Sequence, residues 1–467
     1  MATKSGTKSN KSSAVKPVKA GKKGAKKAAT KASKKGASKA AAVNSRLKEG
    51  TIRVRMYRVG FGDCFLVSLP IAKGSGIKET HRHILVDCGV HARGDIGTMS
   101  QVVNNIAEVT GKKLAVAIAS HAHQDHISGY DKFGDVFSTF DIDEVWLPWT
   151  WNPNDKKAVK LQKSQIALTA QLEEHYNATA ATADQKVLDA IANLKGNKHA
   201  IALLKAGFGV NAQVRYLTAG DVLTKPAGIP GLTARFLGPP QSEEFLSQMD
   251  PPKGQHYLRA VPGGSPELAN EVKPFVSKWV TGNGNKSSES ASERPLSKEE
   301  ERRLHELADS PLDSLAFAID QARNNESVVA LLIYRGQHLL FPGDAQYGNW
   351  RWWLENEQPD DILPQISFFK VAHHGSENAT PKGALERMSQ GKFAAMVSTQ
   401  SSPWKSIPKV TLMNRLNQKT VSRIVRSDWL TMPGAPKPLA GAVPALPSKL
   451  PKGFAKGPLW YDYLINT

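Results

Sequence analysis

Three imidazoles and a carboxylate fall within six residues at His121-Ala122-His123-Gln124-Asp125-His126. Borderline nitrogen and hard oxygen donors in that mixture suit Zn²⁺ or another first-row divalent ion. The stretch follows an apolar run, Leu114–Ala119, that ends in Ser120 and gives way to Ile127-Ser128-Gly129. A buried strand that delivers its ligands on the loop leaving its end is the expected arrangement. Side chains alternate along an extended chain, so His121 and His123 point to one side. Asp125 and His126, past a bend, are then free to serve a second ion. A lone histidine on a strand is ordinarily packed or solvated; four potential ligands at this spacing are a site.

A second set of ligand-type residues lies far downstream. The run Ser327–Tyr334 reads as a buried strand, Gly336 as a turn and His338–Phe341 as the returning strand, which ends in Pro342-Gly343-Asp344-Ala345. Ile366–Ala372 is another strand, ending in His373-His374-Gly375-Ser376. Strand ends are where a rigid scaffold can hold ligands in position. An Asp after a Gly turn can bridge two ions with its two oxygens, and a further His can complete one coordination shell. Each motif is weak alone. Together, and in this order, they predict a two-ion centre.

The elements that must position these residues are legible on both sides. Ile52–Tyr57 and Cys64–Leu69 read as strands joined by Gly60-Phe61-Gly62-Asp63, and Ile84–Gly89 as a third that ends in Asp87-Cys88-Gly89. Residues 97–111 read as a helix, and residues 145–151 as a strand end with an aromatic turn. Residues 155–207 carry helical periodicity with few breakers, which predicts two or three inserted helices. Val214–Leu217 and Leu232–Leu237 resume β-structure. Residues 240–312 are rich in Pro, Gly, Ser and charge, and predict a mostly irregular insertion with one helix near 298–308. Cys64 and Cys88 are too few for a disulfide framework and read as small buried residues. The cluster Trp350-Arg351-Trp352-Trp353 reads as core packing on a helix rather than a base-stacking platform.

Charge is distributed unevenly along the 467 residues. Residues 1–50 hold 15 basic residues and one acidic, so they contribute +14 of the formal +20. Lysines such as Lys22, Lys23, Lys26, Lys27, Lys34 and Lys35 sit among Ala, Gly, Ser and Thr, with almost nothing bulky to bury. Such a segment cannot offset its ordering entropy, and a disordered tail over 1–50 is the expectation. Its chemistry is that of sequence-independent attraction to phosphates by counterion release, the alternative being a merely solubilising extension. No apolar run approaches the ~18 residues of a bilayer span, and no apolar segment follows the basic start. A reducing, cytoplasmic setting without a membrane partner follows, with nucleoid association through the tail.

The pattern H-x-H-x-D-H followed by Gly resembles the signature of the metallo-β-lactamase superfamily. The forms Val59-Gly60-Phe61-Gly62-Asp63-Cys64, Leu85-Val86-Asp87-Cys88-Gly89, Asn324-Asn325-Glu326-Ser327, Phe341-Pro342-Gly343-Asp344-Ala345 and Lys370-Val371-Ala372-His373-His374-Gly375-Ser376 narrow it. They resemble the soluble hydrolase domain of ComEC-type DNA-uptake proteins, without the membrane channel. The likeness covers roughly residues 50–430. It implies an α/β fold, a four-layer αβ/βα sandwich over 51–445, with a helical insertion near 151–212, a partly irregular one near 240–320, and a C-terminal extension over 446–467. It gives His121 and His123 to one ion, Asp125, His126 and His374 to the other (His373 being the alternative ligand), and Asp344 to both. Asp87 and Asp63 would support the ligands from behind. Two departures stand out. Asn324-Asn325 occupies the region where many members of the fold supply a third His to the first ion, and Phe61 replaces the usual Gln.

The chemistry implied is hydrolysis by a hydroxide that bridges two divalent ions, Zn²⁺ or Mn²⁺, whose charge lowers the pKa of water. Asp125, Asp344 and His374 would be the catalytic ligands. Ser376, Asn324, Asn325 and Ser327 are candidate donors to substrate phosphate, with a turn-capping role the alternative for the Asn pair. The leading expectation is a phosphodiesterase or nuclease acting on DNA or a nucleotide-like phosphodiester. A hydrolase of lactams, lactones, thioesters or phosphonate esters comes second. A nucleoid-associated binding protein with a structural metal comes third.

Overall fold

The computed structural model describes residues 49–179, 197–252, 319–439 and 441–467, with residues 47, 187–188, 190–192 and 254–255 besides. The basic tail up to residue 46 and the helix expected at 298–308 lie outside the described residues.

Among the described residues, fifteen strands form two sheets. The first has the order β14-β15-β1-β2-β3-β4-β5-β6 and the second β13-β12-β11-β10-β9-β8-β7. The strands of the first sheet are β1 (Thr51–Tyr57), β2 (Cys64–Pro70), β3 (His81–Cys88), β4 (Lys113–Ile118), β5 (Asp141–Pro148) and β6 (Gln213–Leu217), with β14 (Phe454–Lys456) and β15 (Trp460–Asn466) at its other side. The second contains β7 (Val222–Thr224), β8 (Leu232–Gly238), β9 (Val329–Tyr334), β10 (Gln337–Phe341), β11 (Ile366–Lys370), β12 (Ala394–Val397) and β13 (Ile424–Arg426). Strands β3 to β6 run parallel to one another, as do β10 to β13.

Alternation along the strands explains the layers. Ile52, Val54 and Met56 of β1, with Phe65, Val67 and Leu69 of β2, meet Ala330, Leu332 and Tyr334 of β9 in one core between the sheets. The opposite faces are covered in turn. Cys64, Leu66 and Leu85 pack with helices α1 (Met99–Thr110) and α2 (Gln124–Lys132). Val329 and Leu331 pack with Trp350 and Trp353 of α5 (Tyr347–Asn356) and with Leu412, Met413 and Leu416 of α6 (Val410–Lys419). The result is the αβ/βα sandwich expected of the motifs. Two tryptophans of the 350–353 cluster are wholly buried, as the core-packing reading requires.

The helical insertion contributes α3 (Lys156–Thr179) and α4 (Lys198–Lys205). Among the described residues, no helix is long and apolar enough to cross a membrane.

The C-terminal boundary needs correction. Residues 446–467 are no extension, because β15 pairs antiparallel with β1 along its whole length, from Thr51↔Asn466 to Tyr57↔Trp460. The Arg55 guanidinium grips Asp462 through Nε at 2.7 Å and Nη2 at 2.8 Å, with the Trp460 ring 3.7 Å away. The polar positions of the alternation Ile-Arg-Val-Arg in β1 are not solvated. Instead this buried pair, supplied by the last strand, neutralises the arginine there.

Candidate metal centre

The carboxyl ends of β3, β4, β10, β11 and β12 converge, and each contributes to one buried site. His121 and His123 follow β4, and the loop turns at once into α2, whose first turn holds Asp125 and His126. The positive end of a helix dipole suits a carboxylate in that turn. Four donors come together: Asp125, His126, Asp344 and His374, all buried, with ligand atoms within 4.8 Å of one another. His374 Nε2 lies 2.8 Å from Asp125 Oδ2 and 3.5 Å from Asp344 Oδ2, and His126 Nε2 lies 3.1 Å from Asp344 Oδ2. The rings of His121 and His126 stand 4.2 Å apart, and those of His121 and His123 4.7 Å apart. His373 sits farther back, its Nε2 3.9 Å from Asp344 Oδ2.

Backbone packing brings the loops this close. A Cβ on Gly89 would lie 2.4 Å from His126 N and 2.5 Å from Asp125 C, so only glycine admits the metal loop. Asp63 N–H donates to Asp125 O at 2.8 Å and Gly89 N–H to Asp63 O at 2.9 Å, which ties the three loops together. Asp87, at φ 54°, aims both oxygens at the same loop. It accepts from Ser120 N at 2.7 Å, from Ser120 Oγ at 2.8 Å and from His126 Nδ1 at 2.8 Å. That last bond fixes which nitrogen of His126 is free, as supporting carboxylates do in metal sites. His373 and His374 are both left-handed, at φ 46° and 53°. Such backbone costs about 1–3 kcal/mol per residue and persists where surroundings enforce it. Here Ser398 O holds His374 Nδ1 at 2.9 Å, and the Phe61 ring lies 4.2 Å from the His374 ring. Phe61 thus backs a ligand ring with an aromatic face.

Sequence reading missed Lys370, the last residue of β11 and 2 % exposed. Its ammonium pairs with Asp63, reaches Gly343 O at 2.8 Å and stands 3.3 Å from Asp344 Oδ1. His373 N–H also donates to that oxygen, at 3.1 Å. Asp344 thus has Oδ1 engaged by these two donors and Oδ2 toward His126 and His374. A lysine ending a buried apolar strand was the available signal. Asn197, from the insertion, was equally hidden; its amide donates to Ala122 O at 2.6 Å and steadies the loop between His121 and His123.

Two expected phosphate donors are spent elsewhere. Ser327 is fully buried, its hydroxyl accepting from Asp344 N–H at 3.1 Å and lying 3.2 Å from His121 Nδ1. Asn325 caps a turn: its oxygen accepts from Gln346 N at 3.0 Å and its amide donates to Gln248 O at 2.8 Å. Asn324 is also buried, its Oδ1 without a partner. Ser376 is half-buried, bonded to Asn378 at 2.9 Å, and remains open to a ligand.

The donor set fits divalent cations. His121 Nε2, His123 Nε2 and His126 Nε2 are buried with no hydrogen-bond partner, a costly condition that a metal ion relieves. With no metal bound, burial opposes protonation of His126 and His374, but nearby carboxylates outweigh it. Asp344, Asp87 and Asp125 raise His126 well above the ordinary histidine value, and Asp344, Asp125 and Asp63 raise His374. Burial, aided by the rings of His126 and His123, pushes His121 well below.

A raised histidine stabilises the metal-free fold below its unfolded pKa, and that contribution is lost as pH climbs through the folded value. Metal must displace those protons. Asp320 outweighs burial and raises His123 too, so binding at pH 7 should release up to about three protons and tighten as pH rises above ~6.5. Titration calorimetry in buffers of different ionisation enthalpy reads the release directly. Heats independent of buffer would contradict these protonation states.

No family model matches this chain, and no curated protein does. Among solved structures it is similar to a β-lactamase domain protein from Burkholderia ambifaria, at 16 % identity and a TM-score of 0.21. That similarity covers 41 % of this chain and 48 % of the other, so the chain spans about half that protein's length.

Proposed function

We propose that this protein is a metal-dependent phosphodiesterase acting on DNA or a nucleotide-like phosphodiester. The observation that carries the reading is the convergence of Asp125, His126, Asp344 and His374 on one buried point beside His121 and His123. Divalent ions held by these residues would supply an activated water and would neutralise charge that grows on a phosphoryl oxygen. The chain's own residues do the rest. Asp125, hydrogen-bonded to His374, is placed to orient the attacking water, and Asp87 and Ser398 fix the rings of His126 and His374. His373, its side chain 22 % exposed, and the half-buried Ser376 would be the groups that meet the phosphate. The basic residues before position 50 favour a polyanionic substrate over a lactam.

The test is direct. Metal-loaded protein is incubated with bis-p-nitrophenyl phosphate, plasmid and single-stranded DNA, beside nitrocefin and a lactone. Turnover confined to phosphodiesters is expected; turnover confined to the lactam or lactone would replace the reading. Removing residues 1–45 in the same assay should weaken binding to long DNA and flatten its salt dependence, with small-substrate kcat unchanged.

A further inference from the structure

His123 breaks the pattern of its neighbours. The Nδ1 atoms of His121, His126 and His374 each meet a protein oxygen: Ser120 and Ser327 hydroxyls at 3.1 and 3.2 Å, Asp87 at 2.8 Å, and Ser398 O at 2.9 Å. His123 instead directs Nε2 toward Asp320, 3.1 Å from Oδ1. Both atoms are buried, and neither makes a hydrogen bond. Two donors of one ion, with bonds of about 2.1 Å and angles of about 90–110°, stand roughly 3.0–3.4 Å apart. A close, buried, non-hydrogen-bonded nitrogen–oxygen pair has that spacing.

The position of Asp320 agrees with the role. It lies on a helical segment, residues 319–324, that leads into β9, and its side chain is only 20 % exposed. Glu326, just beyond that segment, accepts from Gln165 of α3 at 2.5 Å, so the insertion helps to seat it. His121 and His123 are both neutral donors when they bind metal. Among the described residues, the carboxylates Asp125 and Asp344 converge with His126 and His374 rather than with this pair.

We propose that Asp320 is the third protein donor to a divalent cation held by His121 and His123. The inference rests on the two-ion reading above. A carboxylate in this place adds charge and a hard ligand, which suits Mn²⁺ as well as Zn²⁺.

Full-length wild type, Asp320→Ala and Asp320→His are loaded with Zn²⁺ or Mn²⁺, desalted and assayed for metal content, and cadmium-loaded samples are compared by ¹¹³Cd NMR. Wild type should hold two ions and show two cadmium resonances. Asp320→Ala should lose one resonance and bind that ion about 10–100-fold more weakly or worse, with the other ion retained as proof of folding. Asp320→His should restore the second ion. Two ions of wild-type affinity and unchanged resonances in Asp320→Ala would overturn the inference, leaving Asp320 as an ion-pair partner of His123. Wild type that takes up no metal, or one ion only, would overturn the two-ion reading itself and this inference with it.

Discussion

Asp344→Asn should cut the proposed phosphodiester turnover by about two to three orders of magnitude while leaving the fold in place. The side chain stands at the centre of the site. Its Oδ2 lies 3.1 Å from His126 Nε2 and 3.5 Å from His374 Nε2, and its Oδ1 is taken by His373 N–H and the Lys370 ammonium. Burial opposes its ionisation, yet His126, Lys370 and His374 hold its carboxyl well below the usual carboxylate range. Asparagine keeps the shape and one acceptor but supplies no charge, and its NH₂ would confront either the lysine or the ligands. Loss of one group that acts on charge developing in the reaction costs on the order of 10²–10³-fold in kcat. Metal affinity should fall with it. Lys370 keeps Asp63 as partner, so the thermal midpoint should move far less than the rate. A variant retaining activity within twofold of wild type would remove Asp344 from the centre and displace the proposed mechanism.

What could be read in the sequence was local. His121, His123, Asp125 and His126 announce themselves because ligand chemistry and strand-end spacing coincide within six residues. The strands that carry Asp344 and His374 are apolar runs cut off by Gly and ligand residues, and they fall close to where they were expected. Contacts made across the fold were not legible. Nothing near Asp320 in sequence says that it meets His123, nor near Asn197 that it holds Ala122 O. Ser327 and Asn325 mislead for the same reason. Their types suit phosphate, but the fold turns them toward Asp344, Gln346 and Gln248. The last strand is the largest omission, since pairing with β1 depends on residues more than 400 positions away.

Lys370→Met should be the most destabilising single change near the site. The lysine is a buried cation whose ammonium is shared between Asp63 and Asp344, themselves 0 % and 1 % exposed. Burial disfavours its charge, but Asp63 and Asp344 outweigh that and raise its pKa above the ordinary lysine value. Methionine fills similar volume but takes away the charge and the hydrogen bond to Gly343 O. Two buried carboxylates then lose the cation they share, Asp344 keeping His126 and His374, a loss of about 3–5 kcal/mol when one partner of a buried pair is removed. Of the two, Asp344 has the depressed folded pKa, so it contributes stability above its unfolded value that is lost as pH falls through the folded one, whereas burial already holds Asp63 above the ordinary carboxylate value. In the variant those folded values rise, so protons relieve the carboxylates sooner, and the stability gap should narrow from pH 7 to pH 5. A divalent ion offers Asp344 a substitute positive charge, so added Mn²⁺ or Zn²⁺ should raise the variant's midpoint more than wild type's. Urea denaturation of metal-free protein at both pH values, repeated at pH 7 with metal, measures all three effects. Equal wild-type and variant stability at pH 7 without metal would show that Lys370 does not hold the site together.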